Sequence, residues 1–379
     1  MNGKEYVESL AGMKTLVYID GEPVRSFWEH PAIRPAVNAL AATYDMASNP
    51  DLDPEVHKYI VAESDLTGGK INRFLKIVES QEDLLARMRL QRAMMRHTGG
   101  CFGGRCVAGA VINALWSVTF EVDGANSGRT EYHQRFKRYM KMCQEKDLAV
   151  SGNITDAKGD RSKPPHAQSD PDLFVRIVEQ NKDGIIVNGA KLQQSGAPIA
   201  HERLVVPTTA LGPKDEPYAV AFAVPGDAEG VIHVNDSACG NAKFTAMDPA
   251  DIGNVTFGMH QSAHILFDHV FVPWDRVFLC GEWKASRDLV HRFSDFQRFA
   301  SSACRCGYID LCIGAGMAMA DYNGAAERTH VQEKFVDMSV DAETLQGMVA
   351  GSAALAVPTA SGVMLPESLT INAAKLYMN

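Results

Sequence analysis

The spacing of hydrophobic positions changes twice along the chain. Up to about residue 147, apolar residues recur at helical intervals. Ser80-Gln81-Glu82-Asp83 has the signature of a helix start: a serine oxygen to accept from first-turn amides, then acids that suit the positive end of the dipole. Leu84, Leu85, Met88 and Met95 continue an apolar face, and Gly99-Gly100 ends it. Further helices are expected from about Cys106 to Val122 and from Arg129 to Lys146, and Leu16 to Val24 reads as a hairpin turning at Asp20-Gly21.

From about 148 to 278 the pattern shortens to strands. Phe174–Val178 and Gly184–Asn188 flank a turn at Lys182-Asp183, and Leu204–Val206, Tyr218–Phe222, Val231–Val234 and His264–Phe267 follow between Gly, Pro and Asp turns. Such a series predicts a β-barrel or sandwich. After Trp274–Cys280 helical spacing returns, from Trp283 to Tyr322 with breaks, from Thr329 to Leu355, and from Glu367 to the end. The expected organisation is a helical domain (1–147), a β domain (148–278) and a C-terminal helical bundle (279–379). That bundle is expected to be incomplete, because about four helices close such a core.

Charge and composition narrow the functional classes. A net charge of −9 argues against a nucleic-acid surface. The first residues lack the apolar core of a secretory signal, and the apolar stretch Val107–Val118 is short for a bilayer and holds Asn113. A cytoplasmic protein without a membrane segment is therefore expected, its eight cysteines reduced or bound to metal. Cys143, Cys239, Cys280 and Cys312 read as small core hydrophobes.

Two segments carry candidate chemistry. Ser151–Ser162 gathers glycine, hydroxyls and the cations Lys158 and Arg161, which suits a pyrophosphate or the edge of a flavin and equally suits a polar surface loop. Gln193-Gln194-Ser195-Gly196 is a second contact candidate with the same ambiguity. The second segment is the cysteine set, Cys101 and Cys106 with Cys304 and Cys306, which reads either as iron–sulfur or zinc ligands or as inert thiols. Neither pair has C-x-x-C spacing, and no G-x-G-x-x-G or Walker loop is present.

The ordered segments His30–Pro35, Gly69–Arg73, Thr155–Arg161, Asp170–Phe174, Asp183-Gly184, Phe267–Pro273, Phe278–Glu282 and Ala320–Gly324 resemble the 4-hydroxybutyryl-CoA dehydratase (vinylacetyl-CoA isomerase) family. That family is related to the two-component 4-hydroxyphenylacetate monooxygenases. The resemblance implies an α+β, acyl-CoA-dehydrogenase-like fold, usually a homotetramer, and a short acyl-CoA substrate. It implies FAD held by Ile154, Thr155, Asp156, Lys158, Gly159, Asp160 and Arg161 and by Gln193, Gln194 and Ser195. It further implies a 4Fe–4S cluster on Cys101, Cys106 and Cys304, with Arg92, Gln297 and Arg305 at positions near the chemistry.

Several positions depart from the family pattern. Gln297 stands where the family has a histidine ligand, Ser262 where it has a glutamate, Arg305 where it has a lysine and Ser301 where it has a tyrosine. One extra residue separates Cys101 from Cys106, at Gly103-Gly104. A later catalytic glutamate of the family lies in a region this chain does not have. Around an ideal helix Cys306 and His291 lie about 200° and about 140° from Cys304, so neither replaces the histidine. Three readings follow: a dehydratase-type flavoenzyme with an altered or absent cluster, a cluster-free flavin monooxygenase, and a non-catalytic shortened paralogue.

Overall fold

The computed structural model describes residues 1–236, 248, 254–257 and 260–378. Its N-terminal helices are α1 (Gly3–Ala11), α2 (Arg34–Ser48), α3 (Pro54–Ile60), α4 (Gln81–Thr98), α5 (Arg105–Ala125) and α6 (Tyr132–Glu145). Ser80 caps α4 by accepting from the Asp83 amide, and Gly99 ends it in the left-handed region at φ 63°. Helix α2 buries Ala36, Val37, Ala39, Leu40, Ala41 and Ala42 and turns Arg34, Asn38, Asp45 and Ser48 to its outer face. Helix α5 is long and apolar enough to cross a membrane, but 67% of its most apolar window is buried within the fold, the position of a core helix.

The N-terminal segment is not all helical. Strands β1 (Leu16–Ile19) and β2 (Glu22–Val24) turn at Asp20 and Gly21, both at positive φ, as a tight hairpin requires. Strands β3 (Val61–Ser64) and β4 (Gly69–Asn72) form a second hairpin. The other strands are β5 (Val150–Asn153), β6 (Arg176–Gln180), β7 (Gly184–Ser195), β8 (Glu202–Val205), β9 (Val220–Pro225), β10 (Val231–Asn235), β11 (Ser262–Pro273) and β12 (Val277–Cys280). They build a six-stranded sheet, β2-β1-β10-β11-β7-β6, and a four-stranded sheet, β12-β9-β8-β5. Strand β1 lies parallel to β10, so the N-terminal hairpin expected from the sequence extends the main sheet.

Val187, Ile265, Phe267 and Val270 from one sheet meet Val205, Phe222, Val224 and Val277 from the other, giving a dry sandwich core. The long pairing of β7 with β11 carries Ser195 opposite Ser262 at the end of the sandwich nearest the cysteines.

Three helices follow: α7 (Ser286–Tyr322), α8 (Thr329–Ala354) and α9 (Ser368–Tyr377). The breaks expected in α7 are absent, and its 37 residues form one helix, about 55 Å long by rise per residue. Leu84, Val111, Leu115, Phe136, Phe299, Ala303, Leu345 and Val349 join α4 to α8 in one core. Cys143 and Cys306 are fully buried in it, while Cys280 and Cys312 are partly exposed; Cys239 lies outside the described residues. Phe299→Ala is expected to cost about 3–5 kcal/mol of stability, read by chemical denaturation, because the ring is fully buried between helices.

Candidate functional site

The loop after β5 is tied down by its neighbour β7. The Ile154 amide donates to Gln194 Oε1 at 3.0 Å, and Gln194 Nε2 donates to the Thr155 carbonyl at 3.0 Å. Lys191, buried in β7, donates to the Ile154 and Val206 carbonyls at 2.7 Å each and ion-pairs with Asp156. Burial raises the Asp156 pKa and lowers that of Lys191, and each partner opposes the shift of the other. A buried pair of this kind fixes geometry more than it adds stability.

Beyond Ala157 the loop turns outward. Lys158, Gly159, Asp160 and Arg161 are exposed. Gly159 has φ 49°, and a Cβ there would stand 2.4 Å from Gln168 Oε1. Gln168 closes this turn, accepting from the Asp160 amide and donating to the Asp160 and Lys163 carbonyls, all at 2.9 Å. At the inner end Gln193 is exposed at φ 54° and Ser195 half-buried, while Ser262 Oγ and Gln261 Oε1 are buried without a partner. A polar rim of backbone, amides, hydroxyls and two cations, with unpartnered oxygens beside it, fits a flavin with its phosphates.

Two glycine loops join this rim to the cysteines. Cβ atoms at Gly104 and Gly196 would lie 2.4 Å from the Ser195 carbonyl oxygen and 2.0 Å from the Gly103 carbonyl oxygen respectively. Gly103, Gly104 and Gly196 all sit at positive φ, so the segment before α5 and the end of β7 touch backbone to backbone. Near Cys101, immediately before this junction, stand the imidazole of His260 and the amides of Gly103 and Gly104 as potential N–H donors. Burial opposes its ionisation, but these donors outweigh burial and bring its pKa below the ordinary thiol value.

Cys106, in the first turn of α5, is pushed up to about 12 by burial and by Cys101. Burial and then Cys106 and Cys101 hold the Cys304 thiol well above its usual range. The three predicted cysteines thus act on one another, whereas Cys306 points away, its sulfur 3.6 Å from the Ala342 carbonyl of α8. Among the described residues no three His, Cys, Asp or Glu surround the position of a single ion.

The other predicted positions are arranged differently. Arg92 is clamped by Asp310 of α7 at 2.8 Å and by Glu343 of α8 at 2.6 Å, with Arg96 also on Asp310. Arg305 is exposed, its guanidinium 5.7 Å from the centre of the Tyr308 ring. Gln297 is half-buried with Oε1 unpartnered, and Gln91 on α4 is fully buried with both amide atoms unpartnered. The pattern gave no signal for Lys191 or His260. Lys191 alternates as though it were an apolar strand residue, and His260 becomes legible only through its contact with Ser195 Oγ at 3.2 Å.

A family model described as 4-hydroxyphenylacetate 3-hydroxylase N terminal matches residues 2–279, and its C-terminal counterpart matches residues 286–379. The 4-hydroxybutyryl-CoA dehydratase/vinylacetyl-CoA-Δ-isomerase of Clostridium aminobutyricum is 40% identical over 99% of this chain and 75% of its own length. The oxygenase component of 4-hydroxyphenylacetate 3-monooxygenase from Thermus thermophilus is 27% identical over 98% of this chain and 74% of its own.

Among solved structures, an oxygen-tolerant 4-hydroxybutyryl-CoA dehydratase from N. maritimus superposes with TM-score 0.94 at 38% identity, over 99% of this chain and 73% of that one. The monooxygenase oxygenase component complexed with FAD and 4-hydroxyphenylacetate gives 0.84 at 26% identity, over 99% and 75%. Butyryl-CoA dehydrogenase from Megasphaera elsdenii gives only 0.55 at 15% identity, over 91% and 84%. The acyl-CoA-dehydrogenase-like fold expected from the sequence is therefore corrected to that of the hydroxylase and dehydratase structures. The family resemblance had implied the former, and the superpositions place the chain with the hydroxylase and dehydratase structures instead.

Gly196→Ala is expected to destabilise the protein by about 1–3 kcal/mol through backbone strain, before any cost of parting the two loops, and thermal unfolding would measure it. Although partial burial opposes it, Asp310 has its pKa lowered by Arg92 and Arg96, so its ion pairs contribute stability above the ordinary aspartate range and lose it as pH falls. The stability gap between wild type and Asp310→Asn should accordingly be present at pH about 7 and shrink below about pH 4.

Proposed function

This chain belongs to the 4-hydroxyphenylacetate 3-hydroxylase family, and on that premise we propose that it is an FAD-dependent enzyme of the dehydratase/isomerase branch acting on a short acyl-CoA. The observation that carries this reading is the convergence of Cys101, Cys106 and Cys304 beside the rim formed by Ile154–Arg161 and Gln193–Ser195. Identity supports the same branch, at 40% to the clostridial dehydratase against 27% to the monooxygenase components.

Bound FAD would supply one-electron chemistry and an iron–sulfur cluster a Lewis acid for a substrate hydroxyl. In this reading Ile154, Thr155, Gln194 and Ser195 hold the flavin edge, and Lys158 and Arg161 meet its phosphates. Cys101, Cys106 and Cys304 are the cluster's thiolates. Gln297 offers hydrogen bonds there but no base, so the iron–sulfur site differs from the family pattern. Arg92 and Arg305 act from outside this centre, the first by fixing helices and the second as an exposed cation. A homo-oligomer is part of the proposal, supported by Met317, Met319 and Tyr322 on α7 and Val336 and Val340 on α8, all large, apolar and exposed.

The test is anaerobic purification with flavin, iron and sulfide analysis, followed by incubation with 4-hydroxybutyryl-CoA and mass analysis of the product. Bound FAD and loss of water from the substrate support the proposal. Oxygen uptake with reduced flavin and a phenol, without acyl-CoA turnover, would overturn it in favour of a monooxygenase. Lys191→Met is expected to weaken FAD retention tenfold or more on gel filtration, because the Ile154–Asp156 segment loses its buried tether.

A further inference from the structure

Past Arg161 the loop after β5 meets a second attachment, at His166 in the short 3₁₀ turn Pro165–Ala167. The His166 Nδ1 lies 2.7 Å from Asp215 Oδ1, and its backbone amide donates to the same oxygen at 3.0 Å. The other carboxylate oxygen, Oδ2, accepts from the Gly212 amide at 2.9 Å. Asp215 is buried, while 32% of the His166 side chain is exposed.

An ionised carboxylate only accepts, so the His166 ring donates its Nδ1–H to Asp215. Although burial opposes it, the Gly212 amide and the ring and amide of His166 hold the Asp215 carboxyl below its usual range. The Asp215 side is itself fixed, because the neighbouring Leu211 amide donates to Ser286 Oγ at 2.8 Å, at the start of α7. On the loop side Gln168, two residues after His166, closes the turn over Asp160 and Lys163. Residues 158–163 therefore hang between Lys191 at the buried end and Asp215 at the outer end. Pro165 lines the same cavity of about 10 Å³ as Asp156 and Lys191, so the two attachments meet around one gap.

We propose that His166 is a positioning residue for the phosphate end of the flavin site: by donating to Asp215 it holds the exposed turn that presents Lys158 and Arg161 to the FAD diphosphate. The acid within residues 158–163, Asp160, ion-pairs with Lys163 at 3.3 Å, so Lys158 and Arg161 leave the turn with net positive charge. A turn already closed and attached offers that charge without the ordering cost that a loose loop bears on binding. His166 touches neither cation in this role and acts through the backbone between them and Asp215. The inference rests on the FAD site of the proposed function.

The test titrates flavin-free wild type, His166→Phe, His166→Ala and His166→Asn with FAD and with riboflavin, which has the ring system but no phosphate. Binding is followed by flavin fluorescence. His166→Phe is expected to weaken FAD about 10-fold, the order of one hydrogen bond to a charged group, and to leave riboflavin within about twofold. His166→Ala, too small to crowd the turn, should do the same. His166→Asn, which keeps an N–H toward Asp215, should recover most of the FAD affinity. Equal FAD affinity for wild type and the phenylalanine and alanine variants would overturn the assignment. So would a riboflavin loss as large as the FAD loss, or an asparagine variant no better than alanine. A wild type that binds FAD no more tightly than riboflavin would overturn the phosphate role of the turn and of His166 together. A wild type that binds neither flavin would instead sink the flavin reading itself.

Discussion

Everything at the candidate site depends on two backbones being allowed to touch. Gly103-Gly104 before α5 and Ser195-Gly196 at the end of β7 approach so closely that a single methyl on either side would collide with a carbonyl oxygen. Hydrophobic burial brings the helical layer and the sandwich together, but it does not specify this contact, because apolar packing is non-directional. The glycines do, by making close approach and left-handed backbone compatible. On one side of the junction the chain holds thiols, on the other a polar rim.

The fold supports this junction unevenly. The sandwich is rigid where it matters: β7 and β11 pair over their length, and buried Lys191 fastens the loop after β5 to β7. The helical side relies on packing of α4, α5 and α7 and on a charged clamp at Arg92. Buried polar atoms without partners include those of Gln91, Gln261, Ser262 and Gln297, among others distributed through the fold.

Much of this was legible in the sequence because it depends on local rules. Ser80 and Gly99 bound α4 as their capping chemistry requires, and Asp20-Gly21 turns the first hairpin. Ser262 and Gln297 stood out as departures from a pattern, and each proves to carry an unpartnered oxygen. What the sequence hid is long-range. Nothing local says that β1 will lie beside β10 or that His260 will come back to Ser195.

The length of α7 has a mechanical meaning. Gln297, Cys304, Gly307 and Asp310 lie along a slowly turning stripe, since a step of three residues falls about 60° short of a full turn. Gly307 rides on the Arg92 carbonyl of α4, where a Cβ would stand 2.4 Å from the oxygen and has no room, and Asp310 grips the Arg92 guanidinium one turn further on. Together they act as a keyway that stops the rod from rolling. A roll of one residue, about 100°, would turn Cys304 away and bring Arg305 toward the gap. The solvent-side ion pairs thus set the rotational phase of a sulfur two turns away, without touching it.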